Sequence, residues 1–261
     1  MKIAPIRIAM WSGPRNLSTA MMYAFAARGD AAVWDEPFYA AYLKETGIDH
    51  PMRDAIIAAH DADPESVAAA CTGAIPDGKA IFYQKHMTLH MIPAFDRGFM
   101  RGLTNVFLIR HPARVVASYA KKRENPTLAD IGFVQQAELF DEVAAWSGQT
   151  PVVIDSADIR ANPRGALSAL CAALGIPFVE AMLHWPAGPK PFDGVWAPHW
   201  YNAVHASTGF DEPEGDLPAL TGAAADLVAQ ALPHYERLAR LRIGANDLSA
   251  KDQAPTPTVG S

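Results

Sequence analysis

IAMWSGPRNLSTAMMYAF, residues 8–25, reads as a strand that runs into a glycine turn and then a helix. Ile6 to Trp11 is a short apolar run. From Ser18 to Arg28 the residues Met21, Met22 and Phe25 recur at helical spacing, and Gly29 is placed to stop the helix. Across Ser12-Gly13-Pro14-Arg15-Asn16-Leu17-Ser18-Thr19, successive backbone N–H groups, the helix N-terminus and two hydroxyls can converge on one anion. Arg15 adds a full positive charge. A Walker A loop would read GxxxxGK and then Ser or Thr. Its second glycine and its lysine are absent here, which disfavours a metal-dependent NTPase.

The same alternation continues outward. Ala32 to Trp34 is a second strand, ending at Asp35 and Glu36 before Pro37, which cannot continue a central strand. Residues 52–72 read as an alanine-rich helix with a break at Asp63-Pro64, followed by a strand at Ala80 to Gln84 with Lys85 and His86 at its end. Asn105 to Ile109 is an apolar run of the kind buried in a parallel sheet; it delivers Arg110-His111-Pro112 to its tip before a helix over Ala113 to Lys122. A helix over Leu128 to Trp146, a strand over Pro151 to Ile154 and a helix over Pro163 to Leu174 follow. This order predicts an α/β fold in three layers, a mostly parallel sheet flanked by helices, with ligands outside the carboxyl ends of the strands.

The chain has 261 residues, and one domain over 1–243 accounts for the pattern. Trp185 to Phe210 gathers Pro, Gly, Trp and His with little periodicity and reads as a lid or acceptor-pocket loop; a last helix covers Pro218 to Leu241, and 244–261 reads as a mobile tail. A net charge of -6 argues against nucleic acid or an anionic membrane as a general partner. Cys71 and Cys171 fit neither a redox pair nor a metal cluster. Neither a signal-peptide pattern nor an apolar run of roughly 20 residues is present, so the expected compartment is the cytoplasm. Oligomeric state has no signature in the sequence.

At Arg15, Ser18 and Thr19, and again at Arg110 and Ser118, the chain resembles the sulfotransferases that use 3′-phosphoadenosine-5′-phosphosulfate. The first loop of that family follows a Pro-Lys/Arg-Ser-Gly-Ser/Thr-Ser/Thr pattern. VVIDSADIRANPRGALSALCAALGIPF, residues 152–178, is similar to its later strand, proline and helix ending in Leu-Gly-Ile-Pro. Asn16 and Leu17 replace the usual Ser and Gly, and Ile154-Asp155 stands where Tyr-Glu is usual. The resemblance covers roughly 6–185. It implies a P-loop NTPase-like fold of the sulfotransferase type. It also implies a loop of Gly13, Pro14, Arg15, Asn16, Leu17, Ser18 and Thr19 around the 5′-phosphosulfate, with Arg110 and Ser118 on the 3′-phosphate. Leu17 then requires a right-handed backbone, since a left-handed one is costly for leucine.

Sulfuryl transfer builds charge on the bridging oxygen of the departing phosphate, which Arg15 and the loop N–H groups would meet. The transferred group carries less charge than a phosphoryl, so no metal is expected. The small-molecule acceptor must lose a proton. The resemblance offers two bases, His86 beside Lys85 in Tyr83-Gln84-Lys85-His86, and Glu36 beyond the second strand; Glu36 is favoured because it needs no change of register. If the strand persists through them, Lys85 and His86 face opposite ways and only one enters the site. Lys85 is expected at the bridging oxygen, and Lys190 stands in for an Arg-Lys-Gly contact that is not recognisable. A nucleotide-dependent phosphotransferase and a non-catalytic nucleotide-binding module are the competing readings.

Overall fold

The apolar strand runs lie side by side in one sheet. The structure, a computed structural model, describes residues 4–120 and 126–244. The strands are β1 (Ile6–Ser12), β2 (Ala31–Asp35), β3 (Ile81–Met87), β4 (Thr104–Ile109) and β5 (Val152–Asp155), in spatial order β2-β3-β1-β4-β5 with every neighbouring pair parallel. The period-2 alternation of β1 divides it between two cores. Ile8 and Met10 pack with Tyr83, Val106 and Leu108 on one face, and Ala9 and Trp11 with Phe107, Ile109 and Val153 on the other.

Helices cover both faces. They are α1 (Ser18–Ala27), α2 (Tyr39–Thr46), α3 (Arg53–Ala59), α4 (Pro64–Thr72), α5 (Pro112–Tyr119), α6 (Leu128–Ile131), α7 (Phe133–Ser147), α8 (Ser156–Ala161), α9 (Pro163–Ala173), α10 (Ala197–Trp200), α11 (Asn202–Ala206) and α12 (Ala223–Ala239). Met21, Met22 and Phe25 of α1 join Ile159 of α8 and Leu167 and Leu170 of α9 over the first face. Val67 of α4, Leu139 and Phe140 of α7 and Leu238 of α12 cover the second. Cys71 and Cys171 are buried and unbridged. Among the described residues no helix is long and apolar enough to cross a membrane.

Several boundaries differ from those expected. β3 does not end at Gln84 but runs to Met87, because β1 pairs with it as far as Ser12↔Met87; Lys85 and His86 therefore lie within the strand. The helix expected over 128–146 breaks at Gly132 (φ 71), where a Cβ would stand 2.8 Å from the Thr88 hydroxyl. Asp63 caps α4 by accepting from the Glu65 N–H, which separates it from α3. α2 and α8 were not expected at all, and the last helix starts at Ala223 rather than Pro218. Within 185–210, α10 and α11 bury Trp196 and Tyr201. The end of the helix expected to reach Lys122, and the tail past Gly244, lie outside the described residues.

Candidate functional site

The turn after β1 is built from opposed backbone signs. Arg15 (φ 63) and Leu17 (φ 70) are left-handed, whereas Asn16 between them is not. The expectation of a right-handed Leu17 is thus corrected. Leu17 takes the N-cap position of α1, where its carbonyl accepts from the Met21 N–H at 3.1 Å. A left-handed residue costs about 1–2 kcal/mol, and such strain persists where the surroundings over-determine it. Those surroundings are tight. Asn16 is 1% exposed and donates from Nδ2 to the Leu108 carbonyl at 3.2 Å. A Cβ on Gly13 would stand 2.7 Å from the Ile131 carbonyl oxygen, so Gly13 lets the loop pass that backbone but does not line the cleft. Alternating signs of this kind turn successive N–H groups into an anion-sized concavity.

Pro14 to Thr19, Arg110 and Ser118 line one part of a cleft of about 290 Å³, whose wall also includes Glu36, Lys85, His90 and Tyr201. Arg15 donates from Nε to the Ser118 hydroxyl at 3.0 Å, and Arg110 donates from Nη1 to the Arg15 carbonyl at 2.7 Å. Burial, and then the charge of Arg110, push the pKa of Arg15 down. Two guanidiniums thus crowd the N–H concavity, a concentration of positive charge that favours an anion there even though Arg110 also pairs with the Glu214 carboxylate.

The acidic residues gather around Lys85, whose Nζ donates to Asp35 Oδ1 at 2.9 Å, to Glu36 Oε1 at 2.6 Å and to the Tyr201 hydroxyl at 2.5 Å. Tyr201 donates onward to Asp35 at 2.8 Å and accepts from Trp196 Nε1 at 3.0 Å. Burial opposes the charge on Lys85, but Asp35 and Glu36 together outweigh it and hold the ammonium protonated. Burial raises the Glu36 pKa; Lys85 offsets part of that rise and Asp35 adds to it. Glu36 is itself left-handed (φ 44), with its N–H on the Lys85 carbonyl at 2.9 Å. Its second oxygen, Oε2, stands 4.0 Å from Nε2 of His90. His90 is stacked between Tyr39 and Tyr42 at 4.4 and 4.9 Å, its Nδ1 buried without a hydrogen-bond partner.

His86 points the other way. Alternation along β3 sends it into the opposite core, stacked on Trp11 at 4.4 Å and bonded to Gln84 at 3.1 Å, and burial pushes its pKa down to about 3. It does not line the cleft. Lys190 is likewise spent elsewhere, donating to the Pro186 and Gly188 carbonyls and lying over the Tyr23 ring. The sequence singles out none of His90, Arg160, Tyr201 and Glu214, although Tyr201 falls within the expected lid or acceptor-pocket loop. His90 sits in a short turn just past β3, where the longer strand would have pointed to it. Tyr201 and Glu214 carry no local signal, and Arg160 lies within the 152–178 stretch without a site role that the stretch announces. Among the described residues no group of three His, Cys, Asp or Glu is placed to hold a metal.

A five-stranded parallel sheet flanked by helices, with arginines gathered at the carboxyl ends of its strands, is an α/β fold of the P-loop-like class. A family model described as a sulfotransferase domain matches residues 6–241, well past the stretch whose motifs are recognisable, and the chain belongs to that family. It is similar to the crystal structure of a sulfotransferase from Alicyclobacillus acidocaldarius, with a TM-score of 0.53 and 12% identity over 96% of this chain and 100% of the other. It is 36% identical over 231 residues to branched-chain-amino-acid aminotransferase-like protein 2 of Arabidopsis thaliana, covering 88% of this chain and 41% of the relative. Protein 1 of the same name and organism is 36% identical over 234 residues, 90% of this chain and 42% of that protein. The chain therefore spans about two fifths of the length of these curated relatives.

Proposed function

We propose that the protein transfers a sulfuryl group from 3′-phosphoadenosine-5′-phosphosulfate to a hydroxyl or amine of a small acceptor. The observation that carries this reading is the coupling of Arg15 to Arg110 and Ser118 over the left-handed loop, in the same cleft as Glu36. Arg15 and the loop N–H groups would hold the 5′-phosphosulfate. As the acceptor oxygen or nitrogen bonds to sulfur, the S–O bond to the phosphate breaks and its electron pair passes to the bridging oxygen, where Arg15 stabilises the charge.

Glu36 would govern the acceptor proton. Lys85 occupies Oε1, so Oε2 is the oxygen that meets the acceptor, and the raised pKa makes this carboxylate a better base than an exposed one. An acceptor oxygen about 2.8 Å from each of Oε2 and His90 Nε2 fits the 4.0 Å between them. Lys85 fixes the carboxylate and keeps its charge balanced. Nothing in this scheme calls on a metal.

Calorimetry tests it directly. The full chain should bind 3′,5′-diphosphoadenosine with a chelator present, and more tightly than ATP with magnesium. A preference for ATP with magnesium would reject the reading in favour of a phosphotransferase. Binding without transfer from labelled donor to any of a broad panel of alcohols, phenols, sugars and amines would leave a non-catalytic module.

A further inference from the structure

Arg110 at the tip of β4 and Arg160 on α8 both line the cleft, and both reach the same oxygen. Oε1 of Glu214 accepts from Nη2 of Arg110 and, at 3.3 Å, from Nη1 of Arg160. Glu214 has a side chain only 3% exposed and does not itself line the cleft. Arg114, one helical turn past Arg110, fixes it from a further side: Nε lies 2.9 Å from Oε2, and Nη2 donates to the Glu214 carbonyl at 3.2 Å and to the Gly215 carbonyl. Arg160 is tied down by Nε on the Glu212 carbonyl at 2.9 Å, and Nη2 lies 3.7 Å from the exposed carboxylate of Asp211.

Three guanidiniums face the buried Glu214 and the exposed, cleft-lining Asp211, which leaves one positive charge in surplus. Nε of Arg110 is buried and has no hydrogen-bond partner. A phosphate monoester offers three acceptor oxygens, enough for two guanidinium forks, and it restores the balance of charge. We infer that Arg160 is a second guanidinium for the donor's 3′-phosphate, and that Glu214 is the positioning residue that holds Arg110 and Arg160 side by side. This rests on the reading of the cleft as a site for a 3′-phosphorylated adenine nucleotide. It adds to Arg110 and Ser118 a residue from α8, which lies within the 152–178 stretch but to which the resemblance assigns no donor contact.

The test is calorimetry on the full chain at one salt concentration, with 3′,5′-diphosphoadenosine and adenosine 5′-phosphate as probes. Arg160→Gln should weaken the diphosphate about 10- to 100-fold, the size of a lost charge-assisted contact, and change the monophosphate less than about 3-fold. Arg160→Lys should fall between, and a thermal melt of each variant shows that it is folded. Glu214→Gln should shrink the preference for the 3′-phosphate, and Glu214→Asp should restore part of it. Equal losses for both probes, or no loss in Arg160→Gln while Arg110→Gln still loses the diphosphate, would overturn the role of Arg160. An unchanged or larger preference in Glu214→Gln would overturn that of Glu214. Failure of the unaltered protein to bind the diphosphate at all would instead overturn the donor reading on which both depend.

Discussion

Nζ of Lys85 stands 2.6 Å from Oε1 of Glu36 with both side chains withdrawn from solvent, 1% and 10% exposed. Such a pair contributes little net stability when intact, because desolvation offsets the attraction, yet it is costly to break from one side. Asp35 sharpens the asymmetry, since Lys85 is a single cation between the two carboxylates of Asp35 and Glu36.

Lys85→Met should therefore destabilise the fold by about 3–5 kcal/mol, the cost of stranding a buried charge. Urea unfolding measures it. An unchanged midpoint would show that the carboxylates do not depend on the ammonium.

Glu36→Gln keeps the shape of the side chain and an oxygen to accept from Lys85. It should leave 3′,5′-diphosphoadenosine binding within about 3-fold while lowering transfer by about 10²–10⁴, the range for loss of a general base. Transfer from labelled donor, once an acceptor is found, checks the second number. Full activity in this variant would remove Glu36 from the chemistry.

Gly13→Ala places a methyl group 2.7 Å from the Ile131 carbonyl oxygen, backbone against backbone. The loop must shift, at about 1–3 kcal/mol by the usual penalty for overpacking. Because the concavity of N–H groups depends on that loop, nucleotide affinity should fall with stability. A melting point lowered without any change in affinity would separate the turn from the site.

His86 is neutral in the fold, with its pKa pushed down to about 3 from an ordinary 6.5. The unfolded chain therefore binds more protons than the folded one between those values, and stability must fall as pH drops through that window. The contribution of His86 is about 1.4 kcal/mol per pH unit below 6.5. His86→Phe, which preserves stacking on Trp11, should flatten the dependence by that slope in urea unfolding from pH 7 to 5. An equal slope in both proteins would mean that the ring is not buried neutral.

The alternation of strands and helices, and the gathering of Asp35, Glu36 and Arg110 at strand ends, are legible because period, glycine and proline are local signals. The left-handed Leu17 is not, since no residue preference announces it. It follows from Asn16 reaching across to Leu108 and from α1 starting where it does. The true end of β3 is set by its pairing with β1, so His86, one place after Lys85, is assigned to the wrong surface if the strand is stopped at Gln84. Tyr201 meets Asp35 across 166 residues, and Glu214 meets Arg110 across 104. Contacts that long are made by the fold as a whole, and a stretch of sequence around either residue carries no trace of them.

Asp35 accepts from two points of the segment 185–210, the Tyr201 hydroxyl and, at 3.1 Å on Oδ2, the N–H of Gly194. The segment that brings Tyr201 to the cleft wall is thus latched onto the tip of β2 by a carboxylate that also serves Lys85. The Gly194 amide proton can leave only when that latch opens, so its deuterium uptake is a clock for this segment, and under the proposed function added 3′,5′-diphosphoadenosine should slow it.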